Sequence, residues 1–336
     1  MSRVVDEDRK WTALTPVTRI GEILRCPCCG AALTFDPRGP GLLVRCQDIQ
    51  CKHHRSPFPD FSGQPALIDF ETSVVSEQDL LARNGDARPR RSGALTAVAR
   101  ALQKRLLGPN RSAARLCTEF LSQMRERTAS PRVLVIGGGV VGSGSDSLYA
   151  AGDIELVGTD IFASQCTSLL ADGHNLPFVD AVFDGVWIQA VLEHVVEPSL
   201  VVAEIHRVLK DDGIVFAETP FMQQVHGGAY DFCRFSLSGH RWLFRRFSLI
   251  SSGVSQGPGT AFIWSLRYLL RAMTRSEKVA QAISLLFFWA KFLDRFGTSR
   301  ARADGACGVY FLGRKSLTSL QHKDIIRFYE ETLSAH

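Results

Sequence analysis

Two sets of residues in this sequence are spaced for chemistry: cysteines near the start, and glycines with carboxylates in the middle. Five of the nine cysteines (Cys26, Cys28, Cys29, Cys46 and Cys51) fall within the first 51 residues. Two close sulfur pairs separated by a hairpin can present four thiolates tetrahedrally, the arrangement zinc prefers in closed structural sites. Cys26, Cys29, Cys46 and Cys51 form the expected set, because C-P-x-C puts the paired sulfurs three apart and turns Cys28 elsewhere. The second pair is wider than C-x-x-C, so His53 or His54 is an alternative to Cys51 as fourth ligand. The plain alternative is a set of reduced, metal-free thiols. Cys117, Cys166, Cys233 and Cys307 stand singly among apolar residues and read as small buried hydrophobes.

The second set begins with the apolar run Val133–Ile136, which ends in Gly137, Gly138 and Gly139, with Gly142 and Gly144 beyond. A strand that ends in glycines before a helix lets backbone approach a ligand closely and aims helix N–H groups at it. Some twenty residues on, as a dinucleotide fold would require, a second strand ends at Asp160, whose carboxylate is placed to accept both hydroxyls of an adenosine ribose. These features alone suit a nicotinamide or flavin enzyme equally well.

The elements that must position these residues alternate. Strands are expected at 132–136, 154–159, 183–188 and 214–218, with helices near 145–151, 161–170 and 199–209 between them. A helix at 236–246 and strands at 247–254 and 307–314 follow. Such alternation specifies a parallel sheet covered on both faces. Residues 20–72 read as short strands and turns, 73–93 as a polar linker, and 94–107 and 112–127 as two helices within a basic helical segment spanning 94–130. The catalytic unit is expected over 131–315, with an insertion at 256–305, and a helical tail at 316–336. The chain of 336 residues has room for one full domain and a smaller one. Its formal charge is +5; the stretch 83–132 alone carries about +9 with every Lys, Arg, Asp and Glu ionised. Such density can meet nucleic acid, anionic lipid or a phosphorylated substrate. The opening residues lack a signal-peptide apolar run, so a cytoplasmic location is expected.

The block Asp172-Gly173-His174-Asn175-Leu176-Pro177-Phe178, then Phe183-Asp184-Gly185-Val186-Trp187, then Val191-Leu192-Glu193-His194-Val195 resembles the class I S-adenosylmethionine-dependent methyltransferases, particularly the type 11 group. His206-Arg207-Val208-Leu209-Lys210-Asp211-Asp212-Gly213 matches the helix and turn before that family's fifth strand. The resemblance covers about residues 131–255 and returns at 306–315. It implies an α/β, Rossmann-like, doubly wound seven-stranded sheet with S-adenosyl-L-methionine as cofactor. Gly137, Gly138 and Gly139 would line the donor, Asp160 and Ile161 the ribose, Asp172 and Gly173 the adenine, and Gln189 would complete the set. Val135 stands where the family commonly has an acidic residue.

After the fifth strand, Glu218-Thr219-Pro220-Phe221, His226 and Tyr230-Asp231-Phe232-Cys233-Arg234-Phe235 resemble methyltransferases of surface-polysaccharide and related biosynthesis. Ligands bind at the carboxyl ends of strands in open α/β sheets, so this loop is the expected acceptor pocket. His226 is the expected base, Asp231 its orienter and Arg234 a clamp for an anionic group, with His194 secondary; the bland reading pairs Asp231 with Arg234 inside the loop. Residues 58–68 together with the cysteines resemble the Trm112-like zinc ribbons, which implies a structural Zn2+.

These observations favour O-methylation of a small-molecule or glycan acceptor. An RNA methyltransferase is the alternative suggested by the ribbon and the basic segment, although Ile188-Gln189-Ala190-Val191 stands where an N-P-P-Y tetrapeptide would be. A scaffold with a lapsed cofactor site, suggested by Val135, is the third reading. The insertion, apolar over 279–290 and too short to span a bilayer, reads as a lid or dimerisation surface, or else as an interfacial helix pair with Arg267, Arg271, Lys278, Lys291 and Arg295 facing lipid at the inner side of a membrane.

Overall fold

The computed structural model describes residues 14–38, 41–86 and 110–334. Nine strands form two sheets. β1 (Leu33–Arg38) and β2 (Gly41–Cys46) make an antiparallel hairpin. The large sheet has the order β5-β4-β3-β6-β7-β9-β8, with β3 (Arg132–Ile136), β4 (Glu155–Asp160), β5 (Leu169–Leu170), β6 (Phe183–Gln189), β7 (Leu209–Pro220), β8 (Phe247–Gln256) and β9 (Gly308–Lys315). All neighbours are parallel except β9, which runs antiparallel to both β7 and β8. This is the expected seven-stranded Rossmann-like sheet. The chain leaves β3 outward to β4 and β5, then crosses back to β6 on β3's other side, which opens a crevice at the carboxyl ends of β3 and β6.

Helices are α1 (Lys52–Arg55), α2 (Glu77–Ala82), α3 (Arg111–Arg125), α4 (Asp146–Tyr149), α5 (Pro198–Val208), α6 (Leu237–Leu243), α7 (Pro258–Thr274), α8 (Glu277–Leu285), α9 (Ala290–Leu293), α10 (Ser299–Asp304) and α11 (His322–Ser334). α3 starts where expected, because the Asn110 side chain accepts the Ala113 N–H at 3.0 Å and so satisfies one of the first-turn donors. It buries Leu116, Phe120 and Met124 against Val133, Trp187 and Phe216 of the sheet. The helix expected at 94–107 lies outside the described residues.

The helix expected at 161–170 is absent. Ser164 and Thr167 side chains bond to local backbone instead: Thr167 Oγ1 accepts from the Ser164 N–H at 2.9 Å and donates to the Ser164 carbonyl at 3.1 Å. Hydroxyls of this kind compete with helical bonds. The Gln64 amide then donates to the carbonyls of Ser164 at 2.6 Å and Thr167 at 2.8 Å.

The N-terminal region takes the missing helix's place. Ala66 bridges Leu170 in parallel beside β5, and Phe61, Ala66, Ile68, Val75 and Leu80 cluster with Leu170. The stretch expected to be a linker is therefore packed structure at least to residue 86. Ser76 caps α2 by accepting from Asp79 N at 3.3 Å, and Leu80 is fully buried. Residues 87–93 lie outside the described residues. The ribbon is not a separate body either, since Val17, Ile23, Cys26, Val44 and Leu67 share one apolar cluster with Leu134, Phe178 and Ile205.

Candidate functional site

The glycine loop begins at Gly137, whose φ of +74° is left-handed backbone that favours glycine. A Cβ there would fall 2.1 Å from Val191 Cγ2, and one on Gly139 would fall 2.3 Å from the Phe162 ring. Only glycine lets the β3 loop lie against the β4 and β6 loops. Val135 is buried beneath it, its side chain 3.1 Å from where a Gly138 Cβ would stand, next to Tyr149. At this position the strand turns its side chain into core, where an unpaired carboxylate would be costly.

Asp160 closes the loop. Its carboxylate accepts the N–H of Gly139 at 2.8 Å and of Ile161 at 2.7 Å. Asp172, beyond β5, accepts from Ser73 Oγ at 2.5 Å and from both the backbone N–H (2.9 Å) and the ring Nδ1 (2.6 Å) of His174. Burial alone would raise the Asp172 carboxyl, but the bonds from His174 and Ser73 outweigh it and hold the group below its ordinary value. The Asp172 bond in turn raises His174 against the opposing effect of burial. Gly173 has only ordinary contacts at 3.4 Å or more around a built Cβ, so packing does not require glycine there. Two carboxylates at the carboxyl edge suit a ligand rich in hydroxyl and amino groups, as an adenosyl donor is. Gln189 turns toward β7: its amide donates to Glu218 Oε2 at 2.8 Å and to the Ser143 carbonyl at 3.3 Å. Asn110 binds the other Glu218 oxygen at 3.1 Å, and burial pushes the Glu218 carboxyl up.

The ribbon docks on this same edge. Arg25 N–H donates to the Pro177 carbonyl at 3.0 Å, Val179 N–H to Ile23 at 2.9 Å, and the Asn175 amide to Pro27 at 2.7 Å. Its sulfurs converge: Cys26 and Cys51 are 3.7 Å apart, Cys29 and Cys46 3.4 Å, and all four lie within 4.8 Å of one another. A tetrahedral zinc with Zn–S near 2.3 Å needs sulfurs about 3.8 Å apart. Cys28 lies outside this set, beside Cys26, and donates to Asp69 at 3.7 Å. His53 stacks on Phe58 at 3.8 Å, and His54 Nδ1 lies 3.0 Å from the Cys46 carbonyl, so both flank the sulfur cluster rather than enter it.

Beyond β6, the turn residue Glu193 is 1% exposed, and neither carboxylate oxygen has a hydrogen-bond partner among the described residues. Its Oε1 is 3.8 Å from Nε2 of both His194 and His226. Burial first, with the nearby Asp231 and Glu218 charges adding to it, pushes the Glu193 carboxyl up to about 8 against the opposing influence of its own backbone N–H and of Arg234. Burial also lowers His226, helped by the positive charge of neighbouring His194 and Arg234. The His226 Nδ1 faces the Gln224 carbonyl at 3.2 Å, and a carbonyl only accepts, so the ring hydrogen belongs on Nδ1 and Nε2 is the basic nitrogen. Asp231 accepts the backbone N–H groups of His226 (2.7 Å) and Gly227 (2.9 Å) and pairs with Arg234. Although burial opposes it, the Arg234 bond leads the set that holds this carboxyl down to about 2. Arg234 spends its remaining donors on the carbonyls of Gln223, Cys233 and Gln224 at 2.8, 2.7 and 3.1 Å. It therefore braces the loop from within.

Beside this cluster is a cavity of about 460 Å³, lined by Asn110, Ser143, Gln256, Trp264, Arg267 and Gln281 among others. The insertion forms its roof. Trp264 is 6.0 Å from the His226 ring, and the loop is tied to α7 by a bond from Gln224 to Ser265 at 2.9 Å. In the sequence Glu193 and Glu218 stand only as members of their motifs, and Ser73 belongs to none. An acidic residue closing the apolar run Ile214–Ala217 was the available signal for Glu218; Ser73 had none.

No curated protein matches the chain. Among solved structures it is similar to the Haemonchus contortus phosphoethanolamine N-methyltransferase 2 bound to S-adenosyl-L-methionine, with 14% identity over 84% of this chain and 71% of that one, and a TM-score of 0.43. It is similar to the complex between the Haloferax volcanii Trm112 methyltransferase activator and a candidate methyltransferase, with 17% identity over 73% of this chain and 100% of that one, and a TM-score of 0.40. It is also similar to the [4+2]-cyclase SpnF, with 17% identity over 61% of this chain and 82% of that one, and a TM-score of 0.39. Residues 134–217 match the family model Methyltransf_11, described as a methyltransferase domain. That span runs from within β3 into β7 and contains the glycine loop, Asp160, Asp172 and Glu193, so residues 134–217 carry a methyltransferase domain.

Proposed function

We propose that this chain O-methylates a small-molecule or glycan-type acceptor, with S-adenosylmethionine over the β3 loop and the acceptor in the cavity roofed by the insertion. One observation carries the choice: a buried, unbonded Glu193 carboxylate flanked at 3.8 Å by His194 and His226, on a turn whose Val191 rests on the glycine loop. Bound S-adenosylmethionine supplies an electrophilic methyl group on a sulfonium. Asp160 and Ile161 hold the ribose, and Asp172 with Gly173 meets the adenine. Gln189 positions Glu218 and the wall of the cavity. His226 is neutral at physiological pH because burial lowers it, and its Nε2 takes the acceptor's hydroxyl proton. Glu193 stabilises the imidazolium that results, and His194 flanks the same carboxyl at 3.8 Å. Asp231 and Arg234 are positioning residues that fix the loop carrying His226.

The ribbon over residues 20–72 holds a structural Zn2+ through Cys26, Cys29, Cys46 and Cys51, in the manner of a Trm112-like module. The RNA alternative rests largely on basic residues between 87 and 109, Arg88, Arg90 and Arg91 among them, which lie outside the described residues. The test is calorimetric titration of the intact, zinc-loaded protein with S-adenosylmethionine, followed by transfer of labelled methyl into a lipid and glycan extract. Binding that Asp160→Ala abolishes and His226→Ala leaves intact, with transfer lost only in the second step for His226→Ala, is the expected pattern. Absence of donor binding by the wild type overturns the reading.

A further inference from the structure

The helical insertion leaves much of its apolar surface uncovered. A surface helix ordinarily turns its apolar stripe to the core and its polar side to water. α7 instead buries Thr260 and lends Arg267 to the cavity wall, whereas Phe262, Leu269 and Met273, at i, i+7 and i+11, lie on one exposed face. α8 buries Gln281 and Ser284 beside the small Ala280 and exposes Val279, as the chain just after it exposes Leu286. Trp289, Phe292, Leu293 and Phe296, at i, i+3, i+4 and i+7, are all exposed, Phe296 by 81%. The stripes touch, since Phe262 meets Phe287 edge-on at 6.1 Å and Phe287 lies 6.3 Å from Trp289.

Charge accompanies them. Residues 256–305 contain six arginines and two lysines against Glu277, Asp294 and Asp304, a net of +5 that equals the formal charge of the entire chain. Arg271, Arg275, Lys278 and Arg295 are exposed beside the apolar stripes. A second copy of the chain would bring like charge to like across a two-fold interface. An anionic bilayer answers both features, taking aromatic side chains at the headgroup level and cations at its surface. No helix among the described residues is long and apolar enough to cross a membrane, so these would lie in the interface plane.

We propose that the outer face of the insertion docks on an anionic lipid bilayer and so presents the cavity beneath it to acceptor head groups carried in that surface; the second clause rests on the methyltransferase reading above. Flotation of the full-length protein with vesicles of phosphatidylcholine, alone or mixed with phosphatidylglycerol, tests it. Binding is expected only to the mixed vesicles. Replacing Arg271, Arg275 and Lys278 by alanine should weaken it about a hundredfold, at roughly fivefold per surface cation. Phe292→Ser with Phe296→Ser should abolish it, with S-adenosylmethionine binding unchanged as the control for folding. Wild-type protein that stays with neither vesicle overturns the proposal. So does a wild-type dimer, seen by sedimentation, that the phenylalanine pair converts to monomer without any vesicle binding. Vesicle binding by a protein that takes up no S-adenosylmethionine would sustain the docking face and remove the enzymatic reading instead.

Discussion

The N-terminal ribbon and the helical insertion are the two additions to the methyltransferase sheet, and they invert each other's composition. The ribbon is rich in cysteine, proline and glycine, yet Ile20, Ile23, Leu24, Val44 and Phe58 enter the main core and its segment 65–67 extends the sheet edge at β5. The insertion is rich in phenylalanine, tryptophan and leucine, yet it turns many of them outward and mixes polar groups such as Arg267, Gln281 and Ser284 with Ile263, Trp264 and Leu285 on its inner side. Apolar content therefore did not decide which addition was built into the fold. Backbone hydrogen bonds to β5 and to the 172–179 loop did, because an exposed sheet edge must be covered or paired.

The comparison breaks most sharply at the metal. Chelation, or Cys26→Ser, should unfold more than the ribbon, because structural zinc supplies about 10–16 kcal/mol of binding free energy to folding and the ribbon shares the sheet's core. Thermal unfolding should show one lowered transition. Two separable transitions, with the second unchanged, would make the ribbon an independent body.

At the next scale, His226→Ala should lower methyl transfer by about 10²–10⁴-fold, the usual range for a positioned base, with donor affinity retained. Parallel loss of both in titration and transfer assays would assign His226 to structure. Ser73→Ala should cost about 1–2 kcal/mol in donor affinity, since it removes one hydrogen bond to a buried carboxylate. Calorimetry reads this directly, and an unchanged affinity would uncouple the ribbon from the cofactor site.

The Asp172–His174 pair gives the docked edge a pH signature. Asp172 is depressed, so its stabilisation is present above the ordinary carboxylate range and is lost as pH falls through the lowered folded value. His174 is raised, so its stabilisation is complete below its unfolded value and is lost as pH rises through the higher folded one. The pair should contribute most from about pH 4 to 6.5. Denaturant unfolding of His174→Asn should show a flatter alkaline limb than the wild type, and identical limbs would dismiss the pair's role.

The smallest effect belongs to the insertion's outer face. Phe292→Ser with Phe296→Ser should move stability by no more than about 0.5 kcal/mol, as exposed substitutions do. A drop of several kcal/mol on denaturant unfolding would mean that these rings pack against the protein after all.

The strands were legible because a strand buried on both faces reads as a continuous apolar run: 132–136 matched its prediction, and 183–188 and 214–218 fell within longer strands. Segment 161–170 was not legible. Its apolar spacing suits a helix, but Ser164, Thr167 and the distant Gln64 satisfy its backbone in another form. The cysteine set was readable because close spacing in a short hairpin leaves thiolates few places to go. For the 226–234 loop the sequence left two readings open, and the structure has the one that pairs Asp231 with Arg234 inside the loop.

Sequence by itself determined the sheet, the glycine loop, Asp160 at the end of its strand and the close cysteine pairs, since each follows from a local period or spacing, whereas Asp172 was legible only through the resemblance of its motif. Tertiary structure alone decided that Glu193 is buried without a bonding partner, that Ser73 reaches Asp172 across 99 positions of chain, and that the insertion faces outward. Burial and long-range pairing depend on which surfaces meet, and a one-dimensional pattern carries no record of that until the chain has closed on itself.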